Sequence, residues 1–403
     1  MVKYFSEKAN NIERLTNVTD IGSEGTVVIP RNSRMSSIKS LSNHQTLRIP
    51  KFLFEFLCLT GLLEESEEIF LYRTATITFR LILILINLSV VISVASVLQI
   101  ENLKMIFALL LSFFCVFWMH FIMHKRRKHL TTTLRKFGEI SLLNDEKKIN
   151  TIAIAICTIS IVFVSLKTTI ANNEKTVQFE TYGYPFENST ALNLYIGFKF
   201  FLYTLVHPTF TCLVSLFFCM LCQRCRILID NLTEEIRQIS PEDFGSYNQV
   251  NILKRKAKID QVLNSIQEVF SLPSFLIIVA NFLTCSSVIG WVLRGNPETD
   301  GRAEYIEALF WGITNLSNLI RIMWLAGDIP IQVGKLKEMF YEKLRIRLFY
   351  ARNQEEFQLK PELFGQSDFV FTGCHVISLN RSTVLAVCGT LLTYTVLLVS
   401  FKA

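Results

Sequence analysis

The chain has 403 residues, of which 50% are hydrophobic and only 19% are charged, against about 25% in an average soluble domain. The apolar residues fall in long, almost uncharged blocks, which argues against a water-soluble enzyme. The 33 Phe, 16 Gly and 9 Pro exclude a disordered or collagen-like chain. The net charge of +7 does not require a nucleic-acid partner, because Lys and Arg also accumulate in the cytoplasmic loops of membrane proteins.

Residues 1–51 are expected to form a cytoplasmic N-terminal segment that is partly disordered. The first 45 residues are polar and show no basic region followed by an apolar stretch, so we expect no cleaved signal peptide. The first membrane span must then act as its own insertion signal. The apolar block 52–63 contains Glu55 and is too short to cross about 30 Å of hydrocarbon. We expect it to lie along the membrane interface or to pack beneath the bundle.

Seven longer apolar blocks follow, each of the roughly 20 residues that a membrane-crossing helix needs. They are residues 77–99, 103–123, 150–171, 194–222, 269–293, 305–326 and 376–400. The sequence therefore predicts an all-α membrane protein with seven transmembrane helices.

Basic residues are concentrated in alternate connections between these blocks. Segments 124–148, 223–268 and 327–373 carry 22 Lys and Arg, whereas the other connections and the C-terminal tail carry five. The positive-inside rule then places the N-terminus in the cytoplasm and the C-terminus outside the cell. Segment 172–193 is extracellular in this topology, so Asn188, in the sequence Asn-Ser-Thr, is a predicted glycosylation site.

This orientation opposes a G-protein-coupled receptor, which needs an external N-terminus. The chain also has no cysteine in a predicted external loop, no D/E-R-Y at the third span and no NPxxY in the seventh. A transporter with inverted repeats would show matching halves. Here Pro208 and Pro273 interrupt the fourth and fifth spans, but seven is odd and no halves match.

The long cytoplasmic segments are predicted to be helical. Apolar residues recur at helical spacing between Thr233 and Phe270. The sequence 327–330 (GDIP) predicts a helix that restarts, with Asp328 as N-cap and Pro330 in the first turn. The amphipathic helices pack either within their own subunit or in a hub shared by several subunits. After the N-terminal segment, we therefore divide the chain into three regions. Residues 52–326 hold spans one to six with a ligand-binding bundle, residues 327–373 form a cytoplasmic anchor, and residues 374–403 form the seventh span.

The seventh span carries a stripe of small and hydroxylated residues. Ala386, Thr390, Thr393, Leu397 and Ser400 lie within about 40° of one line at 100° per residue. Such a stripe allows helices to pack closely. Alternatively, several copies meet around an axis, the hydroxyls wet an ion path, and Leu397 is a constriction that gates by dewetting. Composition alone favours the packing interpretation.

The sequence around this span resembles the seventh-span signature of the insect gustatory receptors, relatives of the insect odorant receptors. The matching residues are Phe371-Thr372-Gly373-Cys374, Arg381-Ser382-Thr383, Gly389, Thr393-Tyr394 and Phe401. Ser400 stands where the family has Gln, which removes an amide and much bulk. The close match covers about 30 residues, and the wider similarity in span number, orientation and length covers the chain.

The resemblance implies a ligand-gated cation channel in the plasma membrane, with four subunits around one pore that the seventh span lines. It places Thr390, Thr393, Leu397, Ser400 and Phe401 at the pore or gate. The implied partners are a small-molecule tastant, permeating cations, membrane lipids, and identical or related subunits in a homotetramer or heteromer. We expect no cofactor and no nucleic acid. A seven-span receptor or scaffold without its own pore is the competing interpretation.

Family analogy places the ligand in the outer half of the bundle. The candidate ligand-binding residues there, which have polar or aromatic tips, are Lys199, Tyr203, His207, Trp291, Trp311 and Asn315. Polar groups at that depth are costly in hydrocarbon and normally face a cavity or a partner. Trp291 also fits an interfacial aromatic belt, and His207 also fits a structural histidine.

Other motifs are weak. Cys222 and Cys225 form a lone C-x-x-C pair, better explained by free thiols or palmitoylation than by a metal site. The basic run 124–129 is interpreted as a topology determinant that contacts anionic lipid. No nucleophile–base pair or set of metal ligands can be assembled, so we expect neither an enzyme nor a metal site.

Overall fold

The computed structural model describes residues 49–64, 70–96, 103–140, 146–170, 181–182, 189–294, 302–350 and 369–400. The predictions for the first 48 residues, for Asn188 and for Phe401 lie outside these ranges. The side chain of Ser400 is also outside the description, although its backbone ends the last helix.

The described part of the chain is almost entirely helical. Its helices are α1 (Lys51–Leu59), α2 (Phe70–Ser96), α3 (Leu103–Lys125), α4 (Arg127–Ile140), α5 (Glu146–Ile170), α6 (Ser189–Thr204), α7 (Thr211–Gln238), α8 (Ser246–Arg294), α9 (Arg302–Tyr350) and α10 (Arg381–Ser400). A π-helical segment, Leu205–Phe210, joins α6 to α7. Two short antiparallel strands, β1 (Thr372–Gly373) and β2 (Ile377–Ser378), precede α10.

Among the described residues, five helical segments are long and apolar enough to cross a membrane. They are Phe70–Ala95, Phe107–Lys125, Glu146–Thr169, Thr190–Gln238 and Ser246–Leu293. The first five predicted spans overlap these segments, and the sixth lies in the first half of α9. Of the predicted seventh span, residues 376–400, only Arg381–Ser400 forms α10, because its first residues lie in β2 and directly beside it.

The chain packs around α7. Twelve consecutive residues of this helix, 211–222, are all buried, so its first half touches protein on every side. Helix α8 packs against α3, α7 and α9, and α10 rests on α8 and α9. The apolar residues of these helices form one continuous core. It includes Tyr203 and Trp311 of the predicted ligand residues and Val384 in the first turn of α10.

The block 52–63 packs against the bundle, as one of its two predicted placements requires. Leu53 and Leu57 of α1 are fully buried. The turn after α1 is fixed by two histidines of α3: His120 Nε2 lies 2.9 Å from the Thr60 carbonyl oxygen, and His124 Nδ1 lies 2.7 Å from the Gly61 carbonyl oxygen.

The predicted interruption at Pro208 is confirmed. Proline disfavours helical backbone at the preceding residue, and His207 is indeed extended, with φ −150° and ψ 120°. The break separates α6 from the fully packed α7 and lies inside the core, where His207 and Pro208 are both buried.

Two other helix interruptions were predicted wrongly. Pro273 lies inside α8, and the sequence 327–330 lies inside α9, which continues without a restart from Arg302 to Tyr350. An interior proline costs a helix about 3 kcal/mol, but buried residues on both sides of Pro273 (Val269, Phe270, Ile277 and Ile278) hold α8 in place. Asp328 is no N-cap. It is buried and pairs with arginines of two other helices, a tertiary contact that local capping rules do not detect.

Candidate functional site

Three of the predicted ligand residues meet in one aromatic cluster. The ring of Phe113 on α3 lies 5.8 Å from Tyr203, 5.7 Å from His207 and 6.3 Å from Trp311, between ring centroids. His207 and Trp311 are themselves 5.4 Å apart. Trp291 is elsewhere: it contacts Tyr305 at 5.2 Å, where α8 ends and α9 begins.

The polar atoms of His207 are already engaged. Its Nε2 lies 3.0 Å from the Thr284 hydroxyl, and its Nδ1 lies 3.3 Å from the Thr211 hydroxyl. The extended backbone before Pro208 turns this fully buried ring into the bundle. His207 therefore offers the cluster ring contacts rather than a free nitrogen, which agrees with the structural role that the sequence left open.

Several buried polar atoms beside the cluster have no hydrogen-bond partner among the residues that the structure describes. These atoms are the Trp311 indole N–H, the Asn315 side-chain carbonyl, and both amide atoms of Asn281. Asn281 and Asn315 are fully buried. Each unsatisfied buried group costs about 1–3 kcal/mol. A small molecule that both donates and accepts hydrogen bonds would recover that cost.

The two asparagines are level with each other. Cys285 Sγ on α8 lies 4.0 Å from the Gly312 carbonyl oxygen on α9. Helices α8 and α9 run in opposite directions. About one turn from this contact, Asn281 lies four residues before Cys285 on α8, and Asn315 lies three residues after Gly312 on α9. The indole N–H of Trp311 comes one turn before Asn315, so these donors and acceptors lie within about one helical turn of each other along α8 and α9.

A polar rim borders the cluster. The Lys199 ammonium lies 4.1 Å from the centroid of the Tyr182 ring and 5.6 Å from that of Tyr203. The Tyr203 hydroxyl is 2.6 Å from the Ser89 hydroxyl, which also contacts the Tyr182 hydroxyl. Aromatic faces stabilise a partly desolvated cation, so Lys199 is held at the rim without leaving the apolar surroundings.

The charge of Lys199 also affects Tyr182. Burial raises the pKa of Tyr182, but hydrogen bonding to Ser89 and the nearby ammonium outweigh it and bring the pKa below its usual value. The rim therefore favours anionic or electron-rich groups.

Sequence reasoning missed Ser89, Phe113, Tyr182 and Thr284. Ser89, Phe113 and Thr284 lie in apolar spans where such residues are common, and Tyr182 lies in a loop. No pattern in the sequence distinguishes them from neighbours, because their role comes from helices that meet only in the fold.

The hydroxylated stripe of α10 faces away from its own subunit. Ala386, Thr390, Thr393 and Leu397 are exposed, whereas Val384 and Leu391 are buried against the bundle. At 100° per residue the two faces point about 140° apart. Packing of the stripe within the described part of its own subunit is therefore excluded.

The stripe presents oxygen lone pairs. The Thr390 hydroxyl donates to the Ala386 carbonyl at 2.9 Å, and the Thr393 hydroxyl donates to the Gly389 carbonyl at 2.9 Å. Because both hydroxyl hydrogens point to the helix backbone, the lone pairs of both oxygens remain available to water or a cation. Leu397, which is 51% exposed, lies one turn beyond Thr393.

The Phe371–Cys374 run before α10, which matches the family signature, anchors this helix to α8. The Gln267 amide donates to the Thr372 carbonyl at 2.9 Å and accepts from the Thr372 N–H at 3.1 Å. Phe371 is buried with its ring 5.6 Å from Phe218. A Cβ on Gly373 would lie 3.3 Å from Phe275 backbone and Cβ atoms. These contacts give the motif residues a physical role in placing α10.

Solved structures of the insect olfactory receptor OR5 from Machilis hrabei share the fold. The structure in complex with eugenol has a TM-score of 0.59 at 12% identity, and the match covers 89% of this chain and 100% of that chain. A second structure of the same receptor has a TM-score of 0.59 at 12% identity, and the match covers 86% of this chain and 96% of that chain. No curated protein sequence matches significantly. The family profile of the 7tm chemosensory receptors matches residues 53–403. The resemblance found in the sequence is thus confirmed, and the chain belongs to the 7tm chemosensory receptor family.

Proposed function

We propose that this protein is a gustatory receptor that is itself a ligand-gated, non-selective cation channel. A small extracellular molecule binds in each subunit, and the seventh helices of four subunits form the pore. The observation that carries the proposal is the exposed hydroxyl stripe of α10, which lies opposite the face packed on its own subunit. Hydroxyls on an exposed helix face are unfavourable against lipid and favourable along a hydrated path.

The proposed topology has seven spans, with a cytoplasmic N-terminus and an extracellular C-terminus in the plasma membrane. Its support is the distribution of basic residues, 22 of which lie in three alternate connections. The first half of α9 and the whole of α10 supply the sixth and seventh spans. At about 1.5 Å per residue, α10 is about 30 Å long, which matches the hydrocarbon core.

The proposed ligand site is the aromatic cluster with its unsatisfied polar atoms. Phe113 and Trp311 supply flat apolar walls, and the Trp311 N–H, Asn281 and Asn315 supply hydrogen bonds. This chemistry suits a small molecule with a ring or apolar body and one or two hydroxyl or carbonyl groups. The ligand opens the channel only to the extent that it binds the open arrangement more tightly than the closed one.

The test is expression of the full chain in a non-neuronal cell, with a panel of sugars, bitter compounds and bicarbonate applied under voltage clamp. We expect ligand-evoked cation currents that persist when G proteins are blocked. Currents abolished by that block, or a stable monomer that never conducts, would favour the receptor without its own pore. A fourfold axis in purified particles would support the channel.

The proposed ligand site is tested with a matched pair of variants. Trp311→Phe keeps an aromatic ring but removes the unpartnered N–H, whereas Trp291→Phe makes the same change outside the cluster. We expect the first to raise the half-maximal ligand concentration about tenfold, as the loss of one good hydrogen bond does, and the second to leave it unchanged. Equal effects of the two variants would refute this placement of the site.

A further inference from the structure

A buried carboxylate joins three helices at the base of α10. Asp328 of α9 has a side chain that is 4% exposed. It accepts a hydrogen bond from Arg226 Nη1 of α7 at 2.9 Å, and it contacts the guanidinium of Arg381, the first residue of α10. The Arg381 guanidinium also lies 4.5 Å from the ring centroid of Trp324, one turn before Asp328 on α9.

The charges in this group are balanced. Arg226 lies 3.5 Å from Asp230 as well as beside Asp328, so two carboxylates face two guanidiniums. A buried carboxylate without these partners would be strongly destabilised. Asp328 therefore fixes where both arginines lie.

The backbones approach closely at the same place. A Cβ on Gly327 would lie 2.7 Å from the backbone nitrogen of Arg381 and 3.0 Å from the carbonyl carbon of Asn380. Only glycine allows α9 and the start of α10 to approach so closely. The contact between the two helices thus combines tight backbone packing with a directional ion pair, and it has little freedom to slide.

We propose that Asp328 is a positioning residue that couples ligand binding to the pore, by transmitting movement of α9 to the first residue of α10. This inference rests on the proposed channel function. Helix α9 carries Trp311 and Asn315 in the ligand cluster, and Asp328 lies about 20 Å further along the same continuous helix. A shift of α9 caused by a bound molecule is therefore delivered at Arg381, where the pore helix begins.

The sequence alone pointed away from this role. The sequence 327–330 predicted a helix start, which would have separated the sixth span from the cytoplasmic segment. The structure instead makes α9 one continuous helix from the cluster to the Asp328 contact, a continuity that the transmission requires.

The first experiment needs no ligand. The variants Asp328→Asn, Arg381→Gln and the double variant are purified, and their thermal unfolding is compared with that of the original chain. Because the two groups act on each other, we expect each single change to lower Tm and the double change to lower it by less than the sum of the two. Additive losses would mean that the pair is not coupled and would overturn the proposal.

The second experiment measures function in the same variants, using the compound from the panel that gives the largest current in the original chain. We expect Asp328→Asn and Arg381→Gln to reduce the evoked current about tenfold, within the usual range of coupling between sites, at unchanged surface expression. Arg381→Lys, which keeps the charge, should retain more current than Arg381→Gln. Glu338→Gln removes an exposed carboxylate further along α9 and serves as the control.

The outcomes separate the two proposals. Coupled unfolding with full evoked currents in Asp328→Asn would show that the contact is only structural and would overturn the coupling role. An original chain that reaches the surface but conducts under no condition would overturn the channel function itself, and the coupling role with it.

Discussion

Lys167 of α5 and Glu307 of α9 form an ion pair in which the lysine side chain is only 2% exposed. The Lys167 ammonium also lies 4.3 Å from the centroid of the Phe200 ring on α6. A charge within an apolar span is normally paired or faces a cavity. Here the pair ties α5 to α9 near the start of the helix that carries Trp311, so it fixes one wall of the candidate site.

Replacing Glu307 by Gln leaves this ammonium buried without a counterion. We expect Glu307→Gln to destabilise the protein by about 1–3 kcal/mol, a range discounted because the Glu307 side chain is 28% exposed. The double variant Lys167→Met/Glu307→Gln removes both charges and should recover most of the loss. Thermal unfolding in detergent measures both. A double variant that is less stable than Glu307→Gln would contradict this account.

The sequence predicted the elements of the fold better than their contacts. Long apolar blocks predict α2, α3, α5 and α8. A segment that crosses hydrocarbon must satisfy its own backbone hydrogen bonds, and a helix does so. The stripe on α10 was also visible, since the face of a helix follows from spacing alone. Which face of α10 packs against the bundle could not be predicted, because hydropathy is similar on all sides of that helix.

Contacts between helices escaped the sequence for a physical reason. The pairing of Asp328 with Arg226 and Arg381 joins residues that are 102 and 53 positions apart. Local rules assigned Asp328 to a helix start because Asp and Pro are common there. Phe113 likewise resembles every other Phe of its span until α6, the π-helical segment and α9 come together around it.

Asn281 gives a test in which stability and response should change in opposite directions. Within the described part of the chain, neither amide atom of this fully buried side chain has a hydrogen-bond partner. Asn281→Leu replaces it with an apolar side chain of similar size, so we expect unfolding to become about 1–3 kcal/mol less favourable. If the amide binds the ligand, the evoked current should fall at the same time. Thermal unfolding and dose–response curves of the same variant measure the two effects. A loss of stability would refute the expected stabilisation.

Two glycines of α9 offer a matched comparison. A Cβ on Gly327 would lie 2.7 Å from the Arg381 backbone, whereas a Cβ on Gly334 would meet nothing within 4 Å. Gly334→Ala should therefore stabilise the protein by up to about 1 kcal/mol through helix propensity. Gly327→Ala should destabilise it by about 1–3 kcal/mol, the usual cost of overpacking. Thermal unfolding of both variants is the measurement, and equal shifts would show that α9 and α10 do not approach as closely as described.

The last prediction concerns the proposed gate. Leu397 lies on the exposed stripe of α10, while Leu392 is exposed on a flank about 140° away. If Leu397 closes the pore by dewetting, Leu397→Ala widens and wets the constriction. We expect basal conductance to rise about tenfold, which corresponds to about 1.4 kcal/mol in the closed-to-open equilibrium. Leu392→Ala makes the same truncation away from the stripe and should leave the baseline unchanged. Whole-cell currents without ligand, corrected for surface expression, measure both; similar baselines in the two variants would mean that the stripe only packs against a neighbouring helix.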